Sequence, residues 1–368
     1  MSPAGWDSAA RVLCVRLDTL GDVLMTTPAI RAIRESRAER HITLLTSKPG
    51  AAVAALVPVI DDVIVYEAPW MKSTPPRSGA RVDLAMIERL RACTFDAAVI
   101  FTVYSQNPLP AALLCLLAGI PLRLAHCREN PYQLLTNWIR DPEPEQGIRH
   151  EVQRQLDLVA EVGCAPRDAT LSLRVPQRAW HRASSLLRSV GVDAEGTWVV
   201  VHPGATAPSR RYPPELFARA AAELSAKHGM QIVFTGSAQE EALVDAIRGA
   251  MHMPSHSLAG RLSLADLAAV IARAPLLISN NTGPAHIAAA VGTPVVDLYA
   301  LTNPQHTPWH VSARVLSHDV PCKYCYRSEC PMGHHACLRQ VAPRDVVNAA
   351  LELLGTGQQR RRALRAAS

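Results

Sequence analysis

Apolar residues along this chain follow two alternating patterns. Positions 12–17 (VLCVRL) form a short, nearly continuous apolar run, the mark of a strand buried on both faces. Positions 23–33 then repeat their apolar residues at helical spacing. The unit recurs, with strands predicted at 41–46, 62–66 and 97–101 and helices at 50–56, 81–91 and 108–117. A helix at 151–162 and a strand at 171–175 are predicted to close this half. A helical stretch at 178–190 ends at Gly191, and a polar turn with Asp193, Glu195 and Gly196 precedes a restart. Strands are then predicted at 198–202, 231–235, 257–259, 276–279 and 295–299, with helices at 214–228, 238–250, 263–272, 284–291 and 344–354. Such alternation predicts parallel sheets covered by helices on both faces. The pattern divides the chain into a domain at 1–175, a linker region at 176–196, a second domain at 197–342, and a C-terminal helix with a basic tail at 343–368. Two tandem α/β domains of this doubly wound kind would face a central cleft, with ligands at the carboxyl ends of their strands.

Length agrees, because 368 residues exceed the roughly 250 to 300 at which one core stops growing. With 48% hydrophobic and 19% charged residues the chain is not disordered. Its longest apolar stretch, 108–124, is interrupted by three prolines and Arg123 and is too short to span a bilayer. The N-terminus shows no charged segment followed by an apolar one, so a cytoplasmic protein is expected. Of nine cysteines, Cys14, Cys93, Cys115, Cys127 and Cys164 are scattered singly, which suits a reducing compartment. The net charge of +6 comes from arginine, with lysine only at 48, 72, 227 and 323. That bias suits phosphate recognition but follows equally from genome composition. Four Phe and seven Tyr offer little for base stacking, so no nucleic-acid partner is expected.

Neither the dinucleotide fingerprint nor the Walker loop follows any predicted strand. The first strand instead runs into Asp18-Thr19-Leu20-Gly21-Asp22, which places Asp22 at a helix start. There it is either a helix cap or a general base. After the strand at 198–202, Pro203–Pro213 combines Gly204, Thr206, Ser209, Arg210 and Arg211. Small residues, hydroxyls and a permanent cation suit an anion, although a surface loop ahead of the next helix would read the same way. After the strand at 276–279, Asn281-Thr282-Gly283-Pro284 opens a helix whose free N–H groups suit a diphosphate. Gly236 and Glu240 follow the strand between these loops, where a carboxylate either binds a ribose or is an ordinary first-turn helix acid.

The segments VRLDTLGDVLMTTPAIRAIR, HPGATAPSRRYPPELFA, FTGSAQE, LAGRLSLADLAAVIARAPLLISNNTGPAHIAAAVGTPVV and CKYCYRSECPMGHHACL resemble the family 9 glycosyltransferases, the ADP-heptose:lipopolysaccharide heptosyltransferases and their relatives. The resemblance spans residues 11 to 355. It implies a GT-B fold of two Rossmann-like domains, with the acceptor on the first and a nucleotide-sugar donor on the second. It also implies inverting transfer without a required metal or other cofactor. Carried over by position, Asp22 is the base, and Asp18, Thr19 and Gly21 line its pocket. Arg210 neutralises the leaving diphosphate, Gly204, Thr206 and Ser209 lie near the phosphates, and Glu240, with Gly236, is at the ribose. Thr282, Gly283 and His286 belong to the family's D-[ST]-G-x-x-H element, whose first position is Asn281 here instead of aspartate.

That departure puts the donor in question and keeps open a degenerate protein that binds without transfer. Another donor, or an epimerase on the same fold, is a further alternative. The late cluster of Cys322, Cys325, Cys330 and Cys337, with His334 and His335, has ligand types compatible with a structural zinc, but also with a loop packed by small thiols. Arg360–Arg362 and Arg365 read as a tail, or as a peripheral contact with anionic lipid at the inner membrane.

Overall fold

The computed structural model describes residues 5–367, and side chains as far as 356. The arginines at 360–362 and 365 therefore lie outside the described side chains. The chain divides into two compact units, Met1–Arg174 and Val175–Ser368. In the first, the elements are β1 (Arg11–Arg16), α1 (Leu20–Glu35), β2 (His41–Thr46), α2 (Lys48–Ala54), β3 (Asp62–Val65), α3 (Arg81–Ala92), β4 (Ala97–Ile100), α4 (Leu109–Leu117), β5 (Leu122–Cys127), β6 (Asn137–Arg140) and α5 (Glu151–Ala160). The strands form a parallel six-stranded sheet in the order β3-β2-β1-β4-β5-β6. Its register sets Arg16 beside Thr46 and Val15 beside Ile100. Leu13, Val15, Leu45, Ile64 and Ile100 form one of its apolar cores.

The second unit holds α6 (Gln177–Ser189), β7 (Trp198–His202), α7 (Pro214–His228), β8 (Gln231–Phe234), α8 (Glu241–Met251), β9 (His256–Ser257), α9 (Leu264–Arg273), β10 (Leu277–Asn280), α10 (Gly283–Val291), β11 (Val295–Leu298), β12 (Ala313–Leu316), α11 (Ala336–Arg339) and α12 (Pro343–Ala367). Its parallel sheet runs β12-β11-β10-β7-β8-β9. In both sheets the chain starts in the middle and reverses direction beside its first strand, between β1 and β4 and between β7 and β10. A crevice opens at the carboxyl ends of the strands at such a reversal.

The first sheet is completed differently from the expectation. Residues 171–175 pair with no strand: Ser172 N–H donates to Thr27 Oγ1 at 2.9 Å and Arg174 N–H to the Leu56 carbonyl at 2.8 Å, so the segment is extended but outside the sheet. The sheet is completed instead by β5 and β6. Strand β5 hides its pattern because Arg123 and His126 interrupt the apolar run, the Arg123 guanidinium being spent on the carbonyls of Ile120, Gln133 and Leu134. Residues 176–196 carry α6, whose Ala179, Ala183 and Leu187 are buried and which packs on α9. At the far end, Val346, Val347, Ala350 and Leu353 of α12 join the second unit's core.

Candidate functional site

Arg16 ends β1 and is fully buried. A buried guanidinium must be paired to be tolerated. Its Nη1 donates to Glu151 Oε1 at 2.7 Å and its Nη2 to Asp22 Oδ1 at 3.1 Å. Its Nε lies 2.9 Å from Asp18 Oδ2, an ion pair outside hydrogen-bond angles. Burial works against the charge, but Asp18, Glu151 and Asp22 outweigh it and raise the pKa of Arg16 above the ordinary arginine value.

Asp22 sits three residues into α1, and Thr19 donates to its Oδ2 from both N–H (3.0 Å) and hydroxyl (2.8 Å). The residue is thus a helix cap, with 16% of its side chain exposed at the helix N-terminus. Asp18 receives Gln106 Nε2–H at 2.5 Å on its other oxygen. Burial pushes its carboxyl up to about 6, against the pull of Arg16, and neighbouring Asp22 adds to the rise. Asp18 and Thr19 line a cavity of about 650 Å³ at the β1/β4 reversal, with Trp70, Phe101, Gln106 and Ala111 among its walls. Asp22 and buried Gly21 lie outside that lining. Helix α5 supports the site from behind. Its Gln155 bridges Glu151 Oε1 (2.8 Å) and the Thr102 carbonyl (3.0 Å), and its Arg154 makes a bidentate pair with Asp141 (2.8 and 2.9 Å).

In the second unit, the loops after β7, β8 and β10 come together because Asn280 ties two of them. Its Nδ2 donates to the Pro203 carbonyl at 2.7 Å, and its Oδ1 accepts the Tyr212 N–H at 3.0 Å. Glu240 caps its own helical turn, accepting from Ser237 N–H (2.7 Å) and hydroxyl (3.0 Å). The same carboxylate lies against Gly204 so closely that a Cβ there would come within 1.9 Å of Glu240 Oε1. A side chain at 204 would have to displace the Glu240 carboxylate, and Gly236 would set a Cβ 3.2 Å from that of Glu240. His202 bonds Thr235 Oγ1 at 3.0 Å and faces Glu240 at 4.0 Å; burial holds its pKa below the usual histidine value although Glu240 opposes this. A cavity of about 260 Å³ is bounded by Pro203, Ala205, Arg211, Tyr212 and Glu240. Thr282 is the N-cap of α10 and Gly283 begins its first turn, in which Pro284 has no N–H and the Ala285 N–H donates to the Thr282 carbonyl at 3.0 Å. His286 is buried on that helix.

The structure therefore brings Gly204, Gly236, Glu240, Asn281, Thr282 and Gly283 to neighbouring strand ends. It uses Ser209 differently from the phosphate role expected of it. The Ser209 hydroxyl donates to the Arg327 carbonyl at 2.8 Å and its N–H to the Ser328 carbonyl at 3.0 Å, because this residue fastens its loop to the cysteine-bearing segment. Thr206 is exposed and offers its carbonyl to Arg211 at 3.4 Å. Arg210 is partly exposed and pulls electrostatically on Asp297 and Tyr299. Asn281 turns its amide inward, to Asp297 and the His306 carbonyl.

The late cysteines, read from the sequence as zinc ligands or as small thiols packing a loop, lie near one another. Burial, then the nearby thiols of Cys330, Cys322 and Cys325, raise the pKa of Cys337, and Cys322 Sγ lies 3.8 Å from His334 Nε2. Yet among the described residues no three His, Cys, Asp or Glu side chains are placed to hold a metal ion. No helix among them is long and apolar enough to cross a membrane.

Arg16, Gln106, Glu151, Asn280 and Asp297 were not among the residues singled out from the sequence. Two of them left a signal: Arg16 and Asp297 are charges inside otherwise apolar strands, where a charge must have a partner. The partners of Gln106 and Glu151 are 88 and 135 residues away.

Comparison with known proteins follows the same line. The family model described as glycosyltransferase family 9 (heptosyltransferase) matches residues 84–336. The lipopolysaccharide core heptosyltransferase OpsX of Haemophilus influenzae is 24% identical over 306 residues, 81% of this chain and 82% of its own. The lipopolysaccharide heptosyltransferase 3 of Escherichia coli is 26% identical over 292 residues, 78% and 81% of the two chains. The solved structure of the E. coli ADP-heptose LPS heptosyltransferase II has the same fold, with TM-score 0.73, 23% identity, and coverage of 95% of this chain and 99% of that one.

Proposed function

The chain belongs to glycosyltransferase family 9, and from that premise we propose that it transfers a heptose from ADP-heptose, with inversion, to a hydroxyl of a lipopolysaccharide core or related glycan. The names of the H. influenzae and E. coli relatives support the donor and the class of acceptor. In this reading the first unit takes the acceptor and the second the nucleotide sugar. The reaction belongs to the cytoplasm, with contact at the inner membrane no more than peripheral.

The observation that carries the proposal is the carboxylate of Asp22, set at the N-terminus of α1 and paired with buried Arg16. As an acceptor oxygen bonds to the anomeric carbon, the bond from that carbon to the diphosphate breaks and its electron pair leaves with the diphosphate. The hydroxyl proton passes to Asp22. Negative charge grows on the diphosphate at the same moment, and Arg210 with the Gly283 amide and the dipole of α10 would stabilise it there. The leaving charge is thus met by the chain's own groups, and the reading has activity surviving treatment with a chelator.

A second reading has one observation in its favour. Asp18, unlike Asp22, lines the cavity at the β1/β4 reversal, and burial has pushed its carboxyl up to about 6, well matched to a base.

Incubation with ADP-heptose and a lipopolysaccharide core oligosaccharide tests both. ADP release that requires the acceptor, and a product of inverted anomeric configuration by NMR, are expected. Sugar isomerisation without transfer would replace this reading with the epimerase, and turnover with another nucleotide sugar only would replace the donor.

A further inference from the structure

The family's element begins with aspartate where this chain has Asn281, and the structure shows where the missing carboxylate is. Asn281 is almost completely buried. Its Nδ2 donates to Asp297 Oδ2 at 2.9 Å and to the His306 carbonyl at 2.8 Å. Both neighbours are acceptors, so only the NH₂ end of the amide can face them and its orientation is unambiguous. With both hydrogens spent, Asn281 has only its Oδ1 left for a ligand, and none of the described residues bonds to it. Asp297 is itself fully buried on β11, and its Oδ1 has no hydrogen-bond partner among them. Burial pushes its carboxyl up to about 7, against the pull of the Asn281 amide and of Arg210 in the loop after β7.

Resting on the reading above, we propose that Asp297 is a positioning residue for the donor site: with the His306 carbonyl it locks the Asn281 amide so that Oδ1 accepts a hydroxyl of the donor sugar. A carboxyl stands instead on the neighbouring strand β11, hydrogen-bonded to the position where the family usually has its aspartate. An aspartate at 281 would have no N–H to give to the His306 carbonyl and would set a second carboxyl against buried Asp297. Asn281 is therefore the residue that Asp297 requires, and it does not mark a degenerate site.

Three variants test this: Asn281→Asp, Asp297→Asn, and the pair together. Melting without ligand reads the lock itself. Asn281→Asp should lower Tm by about 5 °C, since a second carboxyl is forced against Asp297 and the His306 carbonyl in a buried place, and adding Asp297→Asn should recover most of that loss. Steady-state kinetics read its use. Asp297→Asn, whose amide no longer imposes one orientation, should raise KM for ADP-heptose about tenfold, and Asn281→Asp about a hundredfold, with the pair closer to wild type than Asn281→Asp alone. The Kd for ADP, which lacks the sugar, should stay within about threefold throughout. Failure of the double substitution to recover Tm overturns the lock. Equal loss of ADP and ADP-heptose binding, or an unchanged KM in Asp297→Asn, overturns its role at the sugar. Wild-type protein that binds neither ADP nor ADP-heptose would instead overturn the donor reading, while the melting cycle still decides the pair.

Discussion

The two reversals, β1/β4 and β7/β10, are built on the same topology and differ in chemistry. At the first, one buried guanidinium is ringed by Asp18, Asp22 and Glu151, so the loop carries an excess of negative charge beside a largely apolar cavity. At the second, Gly204 and Gly236 let backbone and the Glu240 carboxylate approach closely, and Arg210 with a helix N-terminus provides positive potential. One suits the removal of a proton, the other the reception of an anion. The sheet fixes where a site can be, and the residues just after each central strand decide what it can do.

Substitutions that reach one reversal and spare the other sharpen that contrast. The largest effect is expected for Asp22→Asn, which should lower kcat about a thousandfold, within the range for loss of a general base. The lost cap should cost only about 1 kcal/mol in a melting experiment. If Asp22→Asn keeps near-normal turnover and Asp18→Asn loses it, the base is Asp18. Next comes Arg210→Ala, for which a loss of about a hundredfold in kcat/KM, with weaker ADP binding in calorimetry, is expected from removing one charged stabiliser of the leaving group. Gly204→Ala should raise KM for the donor about tenfold, because the new methyl displaces the Glu240 carboxylate, and should leave acceptor KM unchanged.

The smallest effect is one of pH. Asp18 titrates near 6 in the fold and at 3.8 as an ordinary carboxyl. Between these values the folded chain binds more protons than the unfolded one, so this group's contribution to stability falls as pH rises from about 4 to about 6 and is constant above. Melting of wild type against Asp18→Asn across that window should show the wild type losing ground as pH rises. A constant difference would mean that Asp18 keeps an ordinary pKa.

Most of the helices and the central strands were legible because each depends on a local apolar period. The loops after β1, β7 and β10 were legible too, through Asp22, Gly204 and Thr282, since glycines, helix caps and prolines mark such turns in sequence. Edge strands β6 and β12 were not, being four residues long with weak alternation. The partners of Ser209 were not legible, for a different reason. A hydroxyl in a loop looks the same whether it meets a ligand or, as here, a carbonyl 118 residues away.

The order of residues alone determined that this chain forms two parallel α/β units and which turns follow their central strands, because hydrophobic period and turn chemistry are properties of neighbouring residues. Only the tertiary structure decided which charges share a guanidinium at Arg16, that Glu240 lies against Gly204, and that the Asn281 amide is tied to Asp297. Those are contacts between strands and loops far apart in the chain, and burial, which gives them their energy, exists only once the sheets have formed.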